Sequence, residues 1–365
     1  MSELWNVRLV GTVESLSPIC VVPPNTNEVT RPDGSKYRQV ARRTIYQDGI
    51  RETKPVLPGS TLRGRLRRSA VEVVLGLAGT RIPLEEWHQN AVGGIKGAGS
   101  ESGHDVLLRQ RVRAKNPILA LFGAGSPWMG SRASIGDSVP TAPVDGEIIG
   151  GVRADDGKRD NGFFQKLDEA AQEDWVAMVD ANAARTRFKA RTRELQAELR
   201  AARKNKDTAR IQELEADQKA LQSEEEEAKL LASNPVSMPL QHEAMPAGVS
   251  MLNRITLSAV TPAEAGLFFA AMNQMFKVTP HLGQHANLGY GLVRGEYDVF
   301  ITQAGVADPF EVESPGAGAA GTMIAEPIVG LSGVPAQIVA FMSAFREGFD
   351  AGAFDFRLAS ELDKA

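Results

Sequence analysis

The sequence predicts an α+β fold with a long helical insertion, and three observations support this fold class. Three segments alternate apolar and polar residues as half-buried strands do, and two segments place apolar residues at helical spacing. Their order along the chain is strand, helix, irregular region, strand, helix, strand, which is the skeleton of a ferredoxin-like, RRM-type sandwich. Residues 166–232 interrupt that order without a single Gly or Pro and are rich in Ala, Glu, Lys, Arg and Leu, a composition typical of long exposed helices.

Composition excludes several classes of protein. The 365 residues are 42 % hydrophobic with a formal net charge of -4, which leaves ample apolar sequence for a core. A single cysteine, Cys20, excludes an intramolecular disulfide framework and a zinc site built from cysteines alone. The first residues lack the features of a signal peptide, and no apolar stretch is long enough to span a bilayer, so we expect a cytoplasmic protein.

The N-terminal half contains one predicted strand and one predicted helix. Residues 3–14 alternate, with Trp5, Val7, Leu9 and Val13 on one side. Residues 18–57 read as loop or long hairpin, with Thr44–Tyr46 as a strand. A helix follows with Ser60 as its N-cap, and residues 79–150 read as Gly-rich and irregular apart from an apolar island at Ile118–Phe122. Residues 151–165 read as a flexible arm.

The inserted segment changes sign along its length. Residues 183–210 hold 10 basic and 3 acidic residues, and residues 211–230 hold 2 basic and 7 acidic residues. A turn at Lys204–Asp207 would fold the basic half back against the acidic half. The pattern predicts a helical hairpin inserted into another domain.

The C-terminal half predicts the remaining core elements. Asn253–Val260 alternates as a strand, and Thr261 to Glu264 forms a capping box with Pro262 at the first helical position. A second helix, a glycine loop and a strand at Arg294–Ile301 follow. Further elements are a Gly/Ala linker at Ser314–Gly321 and a terminal helix at Pro335–Phe349. The predicted boundaries are 1–160 and 236–303 for the two parts of the sandwich, 161–235 for the hairpin and 304–365 for a C-terminal extension.

Charge is distributed unevenly. Residues 1–115 hold 18 Lys and Arg against 11 Asp and Glu, and residues 233–365 hold 6 against 13. A basic part suits a polyanion such as nucleic acid, and an acidic part suits the basic part of a neighbouring copy. Solvated charged faces would produce the same asymmetry.

The strongest candidate site is Pro58–Arg68, which opens the first helix. Free N–H groups at a helix N-terminus attract phosphate, and Ser60 and Thr61 add hydroxyl donors. Arg63 and Arg67 are four residues apart and share a helix face, and Gly64 would let a nucleic-acid backbone approach. The segment does not fit the Walker A pattern. An amphipathic helix with a solvated basic face is the alternative.

Two further regions could contact nucleic acid. The glycine loop at His281–Gly291 could follow a sugar–phosphate chain and stack a base through Gly283, Gln284, His285, Asn287 and Tyr290. Two basic arms hold Lys36, Arg38, Arg42 and Arg43, and Arg153, Lys158 and Arg159. Both regions could equally be an ordinary hairpin and mobile loops.

Catalytic and metal-binding signals are weak. The chain has neither a GxSxG nor an HExxH motif. His281 and His285 have the spacing of a zinc-binding helix, but Pro280 and Gly283 oppose a helix there. We therefore expect no catalytic residue, no metal and no cofactor.

The segment Pro58–Gly64, the Leu121–Gly123 tripeptide and the Gly283–Gly291 loop before a strand together resemble the RAMP superfamily of CRISPR proteins, above all its Cas-seven-like backbone subunits. The Met245–Gly248 segment is similar to the proline-glycine segment that precedes the third core strand of that family. The resemblance spans about residues 1–303 without the insertion. It implies a hand-like subunit with an RRM-type palm and a thumb, which polymerises along guide RNA.

The resemblance also implies the roles of particular positions. Residues 151–165 and Met245 lie where thumb sequence is expected, so the resemblance implies that Met245 contacts RNA. The helical hairpin would then elaborate the thumb or palm edge. Type III members cut RNA with an aspartate at a position that falls near Arg42 or Arg43 here, and the nearest acid, Asp48, sits beside a turn glycine. The resemblance therefore implies a non-catalytic subunit, closest to type IV effectors.

Three functions are compatible with the sequence. The leading hypothesis is a multi-copy subunit that binds guide RNA phosphates, with target nucleic acid, copies of itself and other effector subunits as partners. The second is a RAMP endoribonuclease that uses Asp48 or His285 in acid–base catalysis. The third is an interaction protein whose hairpin docks a partner.

Overall fold

A computed structural model describes most of the chain. The described residues are 3–23, 28–31, 36–47, 49–79, 81–93, 106–125, 128–153, 165, 168–205, 210–211, 213–221, 238–305 and 318–357. They divide into two compact units, one formed by residues 1–149 with 242–365 and the other by residues 150–241. Among the described helices, none is both long and apolar enough to cross a membrane.

The fold is α+β, and the strands are mostly antiparallel. Their bounds are β1 Trp5–Ser15, β2 Glu28–Thr30, β3 Lys36–Arg38, β4 Arg42–Gln47, β5 Ile50–Pro55, β6 Ala124–Gly125, β7 Trp128–Met129, β8 Ala133–Ile135, β9 Val139–Pro140, β10 Glu147–Arg153, β11 Met238–Ala244, β12 Ser250–Val260, β13 Val293–Gln303, β14 Ala319–Glu326 and β15 Gly330–Ser332. The helices are α1 Gly59–Ala78, α2 Leu84–Val92, α3 Val106–Lys115, α4 Pro117–Phe122, α5 Glu169–Asn205, α6 Pro262–Val278 and α7 Ala336–Asp350.

The main sheet has the strand order of a ferredoxin-like sandwich. In the described residues its order is β15-β14-β13-β1-β12-β8, with β9 also paired to β12. The N-terminal strand β1 lies between two strands from the other end of the chain, and Leu9 faces Ile255 on one side and Val299 on the other. The predicted alternation is confirmed, because Val7, Leu9 and Val13 are all buried.

Helices α1, α6 and α7 supply the apolar side chains that complete this core. Leu62 and Leu66 of α1, Phe268 of α6 and Phe341 of α7 belong to the same buried cluster as the strands. Helix α6 approaches α7 so closely that a Cβ on Gly266 would overlap the backbone carbonyl of Phe341. The predicted capping box is confirmed, since the Glu264 N–H donates to Thr261 Oγ1 at 3.2 Å and the Thr261 N–H donates to Glu264 Oε2 at 2.9 Å.

Residues 79–150 are more ordered than the sequence predicts. They contain α2, α3 and α4, and the apolar island Ile118–Phe122 is almost the whole of α4, which is capped by Asn116. Asn116 Oδ1 accepts the Leu119 N–H at 3.0 Å, and its amide donates to Asn90 at 2.8 Å. Short helices among glycines lack a long apolar period, which is why the sequence pattern missed them.

The second unit contains the predicted helical hairpin. Helix α5 runs to Asn205, and residues 210–211 and 213–221 are helical on the return. Leu195 and Leu199 of α5 pack against Leu214 of the return helix. Arg203 of the basic half pairs with Glu215 of the acidic half at 3.0 Å, as predicted, and Arg210 at the start of the return helix pairs with Glu198 of α5 at 3.0 Å.

The C-terminal residues are part of the main unit. The predicted linker Ser314–Gly321 includes the start of β14, which adds to the sheet edge beside β13. The predicted terminal helix is confirmed as α7, and Trp5 contacts its Phe341 edge-on at 5.5 Å. Of the predicted arm at 151–165, residues 151–153 belong to β10 and residues 154–164 lie outside the described part.

Candidate nucleic-acid interface

The N-terminus of α1 is occupied by a carboxylate of this chain. The helix begins at Gly59, so its N-cap residue is Pro58 and no side chain caps it. The prediction that Ser60 is the N-cap is therefore wrong. The Gly59 N–H donates to Asp137 Oδ1 at 2.7 Å, and Arg43 Nε donates to Asp137 Oδ2 at 3.0 Å. Asp137 therefore occupies the position beside the helix dipole that the sequence assigned to a phosphate.

Arg67 is a buried structural residue. It is 7 % exposed and donates to the carbonyls of Asn90, Gly123 and Gln89 at 2.6, 2.9 and 3.0 Å. Burial, and to a smaller extent Arg63, lowers the pKa of Arg67 to about 10. The prediction that Arg67 binds phosphate is wrong, because the guanidinium is buried and each of its three nitrogens donates to a carbonyl at the end of α2 or of α4.

Two neighbouring arginines of α1 also turn toward the protein. Arg63 donates to the Phe122 carbonyl, and Arg65 donates to the Thr279 carbonyl at 3.3 Å. Burial lowers the pKa of Arg65. Arg63 is half-buried, so it can offer part of its guanidinium to a ligand at most.

An exposed stripe remains on the first half of α1. Ser60, Gly64 and Arg68 are four residues apart in succession and lie on one face of the helix. Ser60 and Arg68 are exposed, and Thr61 lies half-buried beside them. A Cβ on Gly64 would meet no atom within 4 Å, so the helix backbone is open to an approaching chain there. We call Ser60, Gly64 and Arg68 the α1 stripe.

The two adjacent arginines of the first basic arm, Arg42 and Arg43, have different environments at the start of the β4–β5 hairpin. Arg42 forms a two-pronged ion pair with the buried Glu243, with both N–O distances at 2.6 Å. Arg43 is 54 % exposed on its side chain although it pairs with Asp137. Arg43 is therefore the one of the two that a phosphate can reach.

Sequence reasoning missed an exposed aromatic residue on this hairpin. Tyr46 is 76 % exposed and lies opposite Arg51, which is also exposed. An exposed tyrosine opposite an arginine is a surface on which a base can stack. Its position at the end of the Thr44–Tyr46 strand was visible in the sequence, but its exposure depends on the tertiary fold.

The other basic-arm positions have different environments. Lys36 and Arg38 are exposed on β3, and Lys36 pairs with Glu28 at 3.6 Å. The backbone of Arg153 ends β10, and its side chain is not described. Lys158, Arg159 and Asp48 lie outside the described residues.

The glycine loop is held against the N-terminal segment. The Gln284 N–H donates to the Cys20 carbonyl at 2.7 Å, and the Gly291 N–H donates to the Pro18 carbonyl at 2.8 Å. Gly283 has a φ of +92°, and a Cβ there would overlap the Cys20 carbonyl, so this position requires glycine. Gln284 and Asn287 are exposed, and His285 and Tyr290 are half-buried.

Met245 is part of the core. It is 1 % exposed and exchanges two backbone hydrogen bonds with Ile19, at 2.8 and 2.9 Å. A residue so enclosed cannot contact RNA, so the prediction that Met245 belongs to the interface is wrong. The proline-glycine turn after it serves instead to start β12.

Three residues that are distant in the sequence converge under the glycine loop. Cys20, His242 and His285 place one potential metal-ligand atom each within 4.8 Å of the others. Burial, and secondly the nearby Glu243, raises the pKa of the Cys20 thiol to about 11. Burial, and secondly His285, lowers the pKa of His242, which favours its neutral form. The spacing in the sequence had suggested His281, and not Cys20 or His242, as the partner of His285. In the structure His281 Nδ1 lies 2.8 Å from the Tyr290 carbonyl oxygen.

The open face of the main sheet does not form an aromatic platform. The Arg8 guanidinium lies 4.7 Å from the centre of the Phe300 ring and covers it. The cross-strand neighbours of Val10 are Arg254 and Asp298, which have opposite charges. The interface candidates are therefore the α1 stripe, the β4–β5 hairpin and the glycine loop.

The fold and these surfaces define an α+β sandwich with a basic helix face and a long helical insertion. No family model matches the chain, and no curated protein matches it. A solved structure described as a Type IV-B CRISPR Complex is similar to it with a TM-score of 0.38 and 14 % identity, over 85 % of this chain and 95 % of the other. Functional assignment therefore depends on the residues of the chain itself.

Proposed function

We propose that this protein is a subunit of a CRISPR ribonucleoprotein effector complex and binds the guide RNA backbone without reading its sequence. Copies of the chain would line up along the RNA, and base pairing of the guide would select the target. The observation that supports this function best is the α1 stripe, in which Arg68 and an open Gly64 backbone lie on the exposed face of a helix with no acidic residue in its first turn.

The charge at Arg68 is available for a ligand. Arg68 is exposed, and the described residues place no carboxylate within ion-pair distance of it. A cation one helical turn from a residue without a side chain is suited to a phosphate, because the sugar–phosphate chain can approach the helix backbone closely at Gly64.

Arg43 and Tyr46 on the β4–β5 hairpin offer two further contacts for RNA. The pairing of Arg43 with Asp137 is solvent-exposed, and exposed ion pairs contribute only about 0–1 kcal/mol. A phosphate can therefore compete with Asp137 for Arg43. The exposed ring of Tyr46 can stack on any base, so this contact does not read the sequence.

The test is the salt dependence of binding to a labelled single-stranded RNA of arbitrary sequence. Because each phosphate contact adds roughly 0.7 to the slope of log affinity against log salt, Arg68→Glu should weaken binding and reduce that slope by about 0.7. Arg346→Glu is the control, since Arg346 is also an exposed helical arginine, on α7, where it pairs with Asp350. Equal affinities of the two variants would contradict the α1 stripe as an RNA surface.

We also propose that the subunit does not cleave RNA itself. The position where type III members of the RAMP superfamily carry a catalytic aspartate falls near Arg42 or Arg43, and the nearby Glu243 is buried in its ion pair with Arg42. Incubation of labelled target RNA with the protein and Mg²⁺ should leave the RNA intact. Cleavage that disappears in Asp48→Ala or His285→Ala would establish the endoribonuclease function instead.

A further inference from the structure

We propose that Cys20, His242 and His285 form a binding site for one divalent transition-metal ion, with zinc as the expected occupant. Their potential ligand atoms lie within 4.8 Å of one another, although the residues come from three distant parts of the chain. Thiolate and imidazole are the ligands that zinc prefers in proteins. The three residues lie outside the α1 stripe and the β4–β5 hairpin, and only His285 belongs to the glycine loop.

His242 carries the observation that points to a ligand. The residue is only 9 % exposed, and its Nε2 is buried with no hydrogen-bond partner among the described residues. A buried imidazole nitrogen without a partner is costly, and native proteins rarely leave one unsatisfied. A metal ion between His242, His285 and the Cys20 thiol would satisfy it.

Backbone hydrogen bonds hold the three ligand-bearing segments together. The Cys20 carbonyl accepts the Gln284 N–H, directly before His285, and Ile19 is bridged to Met245, three residues after His242. The strand of His242 is further fixed by Glu243, whose carboxylate accepts the Val40 N–H at 3.0 Å. The fold therefore brings the donors together without help from a metal.

Coordination requires a small local adjustment. Zinc bonds of about 2.1 Å to nitrogen and about 2.3 Å to sulfur keep any two donors within about 4.4 Å. The His242 and His285 rings are stacked, with centroids 4.3 Å apart and an interplanar angle of 23°. Because a metal must lie in the plane of each imidazole, one ring turns on binding; His285 is half-buried on a loop and has the freedom to do so.

The charge and proton balance of the site is simple. The Cys20 thiol releases its proton on binding, and the two neutral imidazoles contribute nitrogen lone pairs, so the loaded site carries a net charge of +1. Glu243 is committed to Arg42 and Val40 and is not offered as a ligand. A water molecule or an external ligand would take the fourth position.

Metal binding would fasten the glycine loop to the sheet. His285 lies in the loop and has a left-handed backbone with a φ of +63°, which a non-glycine residue adopts only at some cost. A bond from His285 through the metal to Cys20 and His242 would stabilise that conformation.

The experiment measures metal content and cobalt spectra of the full chain, purified without chelator and with any affinity tag removed. Elemental analysis should find about one zinc per chain in the wild type and in His88→Ala, and a loss of most of it in Cys20→Ser and His242→Ala. His88 on α2 is the control, as a half-buried histidine outside the cluster.

A second measurement does not depend on the variants being folded. Wild-type protein stripped of metal and titrated with Co²⁺ should develop a thiolate-to-cobalt charge-transfer band that saturates near one equivalent, because Cys20 is the only thiol of the chain. Wild-type protein that contains no metal and develops no such band would overturn the proposal. Zinc content equal in the wild type and a folded Cys20→Ser variant would also overturn it.

Discussion

Glu243 accepts two hydrogen bonds from the guanidinium of Arg42, each at 2.6 Å, although the two residues are 201 positions apart in the sequence. The carboxylate is almost fully buried, whereas the Arg42 side chain is 27 % exposed. The hydrogen bond to Glu243 raises the pKa of Arg42, burial lowers it, and the charge of Glu243 raises it further, so the net pKa of the guanidinium is raised. This pair ties the start of β4 to β11.

Removal of Arg42 should destabilise the protein. Arg42→Met leaves the Glu243 carboxylate buried without its cation, and we expect the free energy of unfolding to fall by about 2–3 kcal/mol, below the value for a fully enclosed pair because Arg42 is partly exposed. Urea unfolding provides the measurement. Arg43→Met, on the same strand, is the control and should change stability by less than about 1 kcal/mol. Equal losses in both variants would contradict this account.

The adjacent residues Arg67 and Arg68 should behave in opposite ways. Arg67→Met leaves three buried carbonyls without a donor, and we expect a loss of at least about 3 kcal/mol in unfolding free energy. Arg68→Met should change stability by no more than about 0.5 kcal/mol and should weaken RNA binding. Thermal unfolding and RNA titration on the two variants separate these roles. A stable Arg67→Met with reduced RNA affinity would restore the role that the sequence gave to Arg67.

The capping box of α6 predicts a side-chain-specific effect. Thr261→Ala removes the hydroxyl that accepts the Glu264 N–H and should lower the free energy of unfolding by about 1 kcal/mol. Thr261→Ser keeps the hydroxyl and should be close to wild type. Chemical unfolding of the three proteins decides the matter, and a Ser variant as unstable as the Ala variant would show that packing of the methyl group matters more.

Two helical glycines should respond oppositely to the same substitution. Gly64→Ala adds a Cβ into open space and should raise the free energy of unfolding by about 0.5–1 kcal/mol. Gly266→Ala drives a Cβ into the Phe341 carbonyl and should lower it by about 2–3 kcal/mol. Urea unfolding of each variant, compared with the wild type, measures the two changes in the free energy of unfolding. If the RNA backbone approaches Gly64, the stabilised variant should also bind RNA more weakly.

The helical hairpin should be dispensable for RNA binding. Replacing residues 183–230 by a Gly-Ser linker removes the basic part of α5, in which Arg203 already pairs with Glu215 of the return helix. RNA affinity at fixed salt should stay within about twofold of wild type, since the α1 stripe is intact. Loss of RNA binding would show that the insertion makes essential RNA contacts. Loss of a protein partner with RNA binding unchanged would favour the hypothesis of an interaction protein whose hairpin docks a partner.

Local patterns predicted the elements well. The alternation of β1, the capping box at Thr261 and the composition of the hairpin all express short-range physics, and each is found in the structure. The candidate site was predicted less well, because the fate of an arginine depends on which carbonyls and carboxylates the fold brings to it. Nothing near Arg67 in the sequence indicates that Gln89 and Gly123 would accept its hydrogen bonds.

The metal-ligand cluster illustrates the same limit. Spacing rules detect ligands on one helix or loop, and they drew attention to His281 and His285. Cys20, His242 and His285 meet only because the segment after β1, the strand β11 and the glycine loop converge. Tyr46 was hidden in the same way, since exposure is a property of the fold and not of the residue.

The central position of β1 has a consequence for synthesis of the chain. Arg8 pairs with Thr256 and Phe300, so β1 gains its two neighbouring strands only after β12 and β13 have been synthesised. At about 5–20 residues per second the apolar side of β1 waits on the order of ten to fifty seconds without a partner. Ribosome-bound chains that stop before β13 should therefore recruit chaperones, whereas chains extended beyond it should not.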